Sequence, residues 1–522
     1  MNLNRLIAIC GYVAFCLPFH VLGLINPILP GWNPDPSILR VGSDYFIATS
    51  TFEYFPGHPI YHSTDLVSWK LIGHGLNRPS QLSLFGTPID AGTGTDTGIW
   101  APSLRYHAQT KTFYLASTAR YAYTAEYRLF PRSFYVTTQD IFADNWSDPI
   151  YFDALGYDTD LFWDTNGDVY ATWSGNNNAV DKIYSIYQNK IDIATGTSLT
   201  DAQLIFHGTL PDNSSARPEG PHVYLINSTY YLLIAEGGSG PQHRSTIQRG
   251  PSPSGPWENN PNNPILFNGA NLSLPVQDTG HSDIVQAPDG SWWGVALGVR
   301  PQGGDFNHQQ LGRETFLFPV TWEDGWPVFN GGQPISEHIE GVLEDKSPLA
   351  TDNPALLLRK QTSYEETFET LLDFAPRSNL TEAGVTIFYS DLLHNDIAVV
   401  GDGNGGRQII TRTNVQAMQV GPWALTYTNS TITTVNHIPL TTQTGPVKFR
   451  IIGNSTSYSL GYAEGSSADF IFPVTIDSVL LSVPPVGGFF FKGAAFGVYN
   501  TGNGKPSLAP ADFEYWKQTP VL

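Results

Sequence analysis

Three carboxylates stand in stiff, unusual surroundings: Asp35 in GWNPDPS, Asp158 in GYDTDLFWD and Glu219 in ARPEGPHVY. Prolines beside Asp35 and Glu219 restrict the backbone and hold the side chains in place. Any one of them alone reads as a solvated turn residue. Together they recur at a matched distance from a repeated aromatic. Asp35 lies 11 residues before Phe46, while Asp158, Glu219 and His281 each lie 12 residues before Tyr170, Tyr231 and Trp293. Pro102 holds the matching place before Tyr114. Carboxylates that converge on one pocket raise each other's pKa, and burial raises it further, so one keeps its proton near neutral pH. An acid beside a base is what cleavage of a glycosidic bond requires.

The elements that position these groups follow from the aromatics. A polar turn, an aromatic or apolar pair and a small-residue strand return five times, as GSDYFIATS, QTKTFYLAST, TNGDVYATWS, NSTYYLLIAEGG and PDGSWWGVALG. The spacing of 56 to 68 residues between copies suits one four-stranded blade each, so the chain reads as a five-bladed β-propeller over residues 24–334. Unrelated hairpins would not keep so even a spacing. Innermost strands of a propeller surround its axis, which brings the matched positions to one central pocket. Asp160 and Asp164, beside Asp158, read as strand or turn residues.

The repeat stops after WEDGWPV, and a Gly, Pro and acidic linker follows. Segments such as GVTIFYS, DIAVVGD, VKFRIIG and SYSLGYA then alternate with period two, so residues 335–522 read as linker and β-sandwich. Between Val328 and Glu366 no first strand of that sandwich is evident.

Composition agrees with an all-β chain: 50 Gly, 39 Pro, 13% aromatic and only 14% charged residues. A net charge of −20 repels nucleic acid and anionic membrane surfaces and leaves neutral glycans as the fitting partner. MNLNR followed by LIAICGYVAFCLPFHVLGL reads as a secretory signal peptide over residues 1–23, interrupted by Pro18 and His20 and too short for a clean membrane span. Its removal takes away Cys10 and Cys16, so the mature chain has no disulfide, zinc–thiolate site or cysteine nucleophile. Sequons at Asn145, Asn213, Asn227, Asn271, Asn379, Asn429 and Asn454 fit a secreted, extracellular glycoprotein with no membrane attachment after signal cleavage.

The stretches NPDPS, STFEYFPGHPIYHSTDLVSWKLIGH, GIWAPSLRYH, YDTDLFWD, PEGPHVY, AEGGSGPQH, GHSDIVQAPDGSWWGVALG and LGRETFLFPVTWEDGWPV, in this order, resemble glycoside hydrolase family 43. The resemblance is to its β-xylosidase and α-L-arabinofuranosidase branch with a C-terminal sandwich. It implies an inverting exo-hydrolase that releases terminal xylose or arabinofuranose from plant cell-wall xylan or arabinoxylan. By it, Asp35 is the general base, Glu219 the general acid and Asp158 the carboxylate that orients the acid and tunes its pKa. Arg313 in LGRETF would hydrogen-bond the terminal sugar, Phe52 and Trp100 would stack on it or pack in the core, and Phe491 would close the pocket from the sandwich. No cofactor is required. His281 resembles a histidine that in some relatives holds a hydrated cation, with a satisfied structural histidine as the equal alternative. A retaining fructan hydrolase of similar architecture would carry Arg-Asp-Pro and Glu-Cys motifs, which are absent. A non-catalytic glycan-binding propeller would not need the three carboxylates.

Overall fold

The computed structural model of the chain describes residues 24–82, 84, 97–120, 132–176, 183–211, 217–302, 308–339, 356–376, 378–390, 393–420, 425–465, 467–481, 493–501 and 510–520. The leader 1–23 with its two cysteines, the sequon Asn213 and the candidate Phe491 lie outside the described residues. Among the described residues the structure is all β apart from short 3-10 turns, and no helix is long and apolar enough to cross a membrane.

The first part of the chain makes five four-stranded antiparallel sheets, each a meander of consecutive strands. Their innermost strands are Ser37–Val41, Gly98–His107, Tyr157–Trp163, Glu219–Ile226 and Gln277–Gln286. The second strands, Asp44–Ala48, Thr112–Arg120, Val169–Asn176, Thr229–Glu236 and Trp292–Val299, contain the repeated aromatics. These strands are buried along most of their length, because each sheet is covered on both faces by its neighbours. One apolar cluster joins each consecutive pair. Phe46 meets Leu115, Tyr114 meets Leu161, Ile186 meets Leu232, and Tyr231 meets Phe316 within shared clusters. The fifth cluster packs Ile47 of the first sheet with Val295 of the fifth, so the series of sheets closes on itself. Leu24–Ile25 pairs antiparallel with His338–Ile339, and the Asn26 side chain donates to the Leu317 carbonyl at 2.8 Å, tying the start of this unit to its last sheet.

The second part makes two six-stranded sheets. One runs Leu356–Lys360, Ala495–Thr501, Glu382–Ser390, Leu393–Gly401, Arg407–Val420 and Leu425–Pro439 in spatial order. The other is built on Glu366–Phe374, Val447–Gly453, Ser457–Glu464 and Ile471–Asp477, with Ala511–Phe513 and Lys517–Pro520 both paired to Glu366–Phe374. Alternate residues enter one core, among them Phe368, Leu372, Val385, Ile387, Phe449 and Ile451. The first strand that the sequence does not make evident is Leu356–Lys360, paired with Ala495–Thr501. LLLRK is a short edge segment without alternation, so its pairing is set by a partner far along the chain.

Candidate active site

The innermost strands of the second to fifth sheets break register at their pocket ends. The breaks fall between Trp100 and Ser103, Tyr157 and Asp160, Glu219 and His222, and Gly280 and Asp283. The first residue inside each break is therefore Ala101, Asp158, Gly220 or His281. In the first sheet Asp35 takes the same place, four residues before Leu39, the partner of Phe46. Asp35, Asp158, Gly220 and His281 have φ of 53°, 54°, 56° and 51°. This left-handed backbone is strained for residues other than glycine, and a bulge re-aims the side chain out of the strand.

This register corrects the count along the sequence. Glu219 and Pro102 stand one residue away from the equivalent positions, which belong to Gly220 and Ala101. The reason is hairpin length. Two residues separate the paired Ile226 and Thr229, whereas five separate the paired Trp163 and Val169, so a constant offset slips. Space favours glycine at Gly220 as well: a Cβ there would lie 3.1 Å from the His281 ring, tighter than an ordinary contact.

Asp35 is buried, with the Arg313 guanidinium 3.6 Å and the His281 Nδ1 3.9 Å from its Oδ1. Burial drives the His281 pKa down to about 4, against the pull of Asp35, so the ring is neutral at neutral pH and that contact is not an ion pair. Arg313 is itself buried and donates to the Ser239 carbonyl at 3.0 Å. Asp158 accepts the Gly220 amide at 3.0 Å and a further bond from the Ala101 amide. Glu219, partly open to the pocket, accepts the Tyr157 hydroxyl at 3.3 Å.

Burial raises the Asp158 pKa well above the carboxylate range, and the charges of Glu219 and Asp35 add to it. Burial also raises Glu219, while Arg217 and Arg313 oppose the rise and Asp35 supports it. Asp158 and Glu219 therefore titrate as a pair that keeps one proton to higher pH than either would alone. The amides facing Asp158, and the Tyr157 hydroxyl with Arg217 and Arg313 facing Glu219, each favour the ionised form of the carboxylate they meet, so the two share the proton.

Aromatic rings form a continuous rim. Trp100 meets Tyr157 edge-on at 5.5 Å and Phe52 at 6.5 Å, and Phe52 stacks on Trp32 at 5.9 Å. Phe52 is 2% exposed and backs this rim, whereas the half-buried Trp100 offers a surface. The sequence reading missed Tyr157, Arg217 and Asp278. Asp278 is buried near Arg313, with Oδ1 unpartnered among the described residues and its pKa pushed up to about 7 by burial. Tyr157 stands inside the quoted GYDTD motif, so the register break was the signal that would have found it.

Deeper along the axis lies a second ionisable cluster. Arg105 reaches Asp160 at 2.8 Å, Asp283 at 3.2 Å and His222 Nδ1 at 2.7 Å. Tyr224 and Ser37 donate to Asp283 at 2.5 and 2.8 Å, and the Val223 amide donates to Asp160 at 3.0 Å. Ser37, Arg105, Asp160, His222 and Asp283 come from the five different sheets, so this hub joins all of them at their inner strands. Asp164, by contrast, is a turn residue that accepts the Tyr230 hydroxyl at 2.7 Å.

A buried carboxylate pair sharing a proton, set against a third carboxylate beside a fixed cation and ringed by aromatics, defines a hydrolase acting by proton transfer on a neutral substrate. The model of glycosyl hydrolases family 43 matches residues 24–327, and that of the β-xylosidase C-terminal concanavalin A-like domain matches residues 340–519. The chain is 35% identical to the non-reducing end α-L-arabinofuranosidase BoGH43B of Bacteroides ovatus, over 94% of both chains. It is 38% identical to a β-xylosidase of Bacillus subtilis over 62% of this chain and 59% of that one. The crystal structure of a xylan β-1,4-xylosidase from Bacillus halodurans superposes with a TM-score of 0.79 at 29% identity, covering 95% of this chain and 99% of the other. The chain belongs to glycosyl hydrolase family 43.

Proposed function

We propose that this protein is an exo-acting, inverting glycosidase that removes terminal xylose or arabinofuranose from xylan-type polysaccharide or its oligosaccharides. The observation that carries the reading is the placing of Asp35 just before the inner strand of the first sheet, and of Asp158 and Glu219 on the inner strands of the third and fourth, with the Asp158–Glu219 pair raised above the ordinary carboxylate range. In this reading the five sheets are the blades of a propeller and the two larger sheets a sandwich.

Glu219 gives its proton to the glycosidic oxygen as the bond to the anomeric carbon breaks. Asp35 takes a proton from the water that attacks that carbon from the opposite face, so the configuration inverts. The first and fourth sheets are not neighbours in the ring, which leaves room for the water and the sugar between base and acid. Asp158 holds the proton on Glu219 through its charge. Arg313 lies beside Asp35 where it can also bond a sugar hydroxyl, and Trp100 gives the sugar an apolar face.

Exo action follows from the second unit standing at the pocket rim. Lys360 donates to Asn33 Oδ1 at 2.8 Å, the Ala494 amide donates to the Gln310 carbonyl at 2.7 Å, and the Tyr54 hydroxyl donates to the Tyr389 carbonyl at 2.8 Å. These contacts flank the segments that hold Asp35 and Arg313. The proton transfers need no cofactor. We assign His281 to the Asp35 carboxylate; a cation on this neutral ring would draw its other ligands largely from water, since the described residues bring no three metal-ligating side chains together. We also place the mature chain outside the cell, after removal of residues 1–23.

The test is product analysis on xylobiose and arabinoxylan, with proton NMR following the anomeric signal. Single pentoses of inverted configuration are expected at the earliest times. Long oligosaccharides, or retained configuration, would overturn the reading.

A further inference from the structure

The sheet of the second unit that holds Glu382–Ser390 has a second, polar face. Ala383, Val385, Ile387 and Tyr389 enter the core, so Glu382, Thr386 and Phe388 point the other way, into a cavity of about 380 Å³. That volume falls within the ~300–1,000 Å³ typical of ligand clefts.

The charges in this cavity are already matched to one another. Arg412 gives both terminal nitrogens to Glu382, with Nη2 at 2.5 Å, and the Tyr499 hydroxyl donates to the same carboxylate at 3.1 Å. His394 Nδ1 lies 3.0 Å from Asp396. Among the described residues two carboxylates face one arginine and one histidine, which disfavours phosphate or another anion. The hydroxyl of Thr386 is the unspent group: the residue is 2% exposed, lines the cavity, and its Oγ1 has no hydrogen-bond partner among the described residues. Buried hydroxyls in folded proteins ordinarily find one. Phe388 and Tyr499 add ring surface to the same cavity. Paired charges, an unsatisfied hydroxyl and aromatic surface together suit a neutral, polyhydroxylated ring.

The cavity is connected to the carboxylate pocket by ring contacts. Phe388 meets Tyr54 at 6.5 Å, Tyr54 meets Trp32 at 5.2 Å, and Trp32 leads through Phe52 to Trp100. We propose that this cavity is a second saccharide-binding site, which holds a sugar unit of the same glycan whose terminal pentose occupies the carboxylate pocket. The assignment of the ligand rests on the glycosidase reading above.

Thr386→Val keeps the shape and β-branched character of the strand residue and removes only the orphan hydroxyl, so the fold and its melting temperature are retained. Phe388→Ala removes the ring. The experiment compares retardation of full-length protein in gels containing arabinoxylan, and kcat/KM on arabinoxylan and on an aryl pentoside, for wild type and both variants. Retardation should weaken about fivefold or more and KM on the polymer should rise, with turnover of the aryl pentoside unchanged. Wild-type retardation in both variants would overturn the second site. No turnover of any aryl pentoside by wild type would instead overturn the glycosidase reading, and retardation lost in the variants would still support a saccharide site.

Discussion

Asp158 and Asp160 lie two residues apart on one strand, are both almost sealed from solvent, and are held in opposite ways. Asp160 meets Arg105 at 2.8 Å and the Val223 amide at 3.0 Å. Its companion Asp283 is pushed up by burial but drawn down to about 2 by His222, Arg105 and hydrogen bonds. Asp158 faces two other carboxylates, and its pKa stands well above the normal range. Neither residue type nor burial separates the two. What separates them is whether the fold supplies a countercharge. The inner hub holds the sheets together with compensated charge, and the outer pocket sets three carboxylates against one another with Arg313 and Arg217 offsetting them only in part.

If that contrast is right, substitutions at the two levels fail differently. Glu219→Gln and Asp35→Asn should each lose 10²- to 10⁴-fold or more in kcat while unfolding like wild type. A substrate with a very acidic leaving group should recover much of the loss in Glu219→Gln and none in Asp35→Asn, because only the first variant lacks the leaving-group proton. Near-normal turnover on an ordinary substrate in either variant would assign the chemistry elsewhere.

Arg105→Met should act on the fold instead. It strands the buried Asp160 and Asp283 carboxylates, a change that costs about 3–5 kcal/mol. Denaturant unfolding should show that loss, and an unchanged midpoint would remove the hub from its role.

Acid should weaken the protein through its neutral histidines. Burial lowers His58 and His281 to about 4 and His243 to about 3. Unfolding lets each bind a proton near pH 6.5, so the unfolded chain holds more protons between the two values. Their share of the stability is complete above about pH 6.5 and declines as pH falls towards 4, by up to about 3 kcal/mol for each ring, while the raised Asp158, Glu219 and Asp278 carboxylates act in the opposite sense over the same window. Calorimetry of wild type and His58→Gln across this window checks it: wild type should lose melting temperature relative to the variant as pH falls, and a difference independent of pH would contradict it.

The sequence made the pocket legible where chemistry and repeat coincide. Phe46, Tyr114, Tyr170, Tyr231 and Trp293 mark second strands because packing between sheets demands large side chains there, and that demand recurs in every sheet. Asp35, Asp158 and Glu219 stand out through their proline and aromatic neighbours. The hub was not legible. Asp160 looks like any strand residue, and Arg105 finds Asp283 and His222 at sequence separations of 178 and 117. The register of Glu219 also escaped, since spacing along the chain counts loop residues that pairing across strands ignores. The cavity of the second unit has no local motif at all, being assembled from five strands of one sheet.

The central claim is that Asp158 keeps the proton on Glu219, and removing its charge tests this most directly. Asp158→Asn abolishes the coupled pair, so Glu219 should lose its proton at lower pH. Folding raises the pKa of the pair, which reduces stability as pH rises above about 4, so the variant, with one acid fewer, should also melt higher than wild type at neutral pH and not below pH 4. The decisive measurement is kcat/KM against pH for both proteins. The wild-type profile should be bell-shaped, its falling limb reporting the pair. In Asp158→Asn that limb should move to lower pH, in addition to a reduced maximum. A falling limb that stays in place or moves to higher pH would contradict the account.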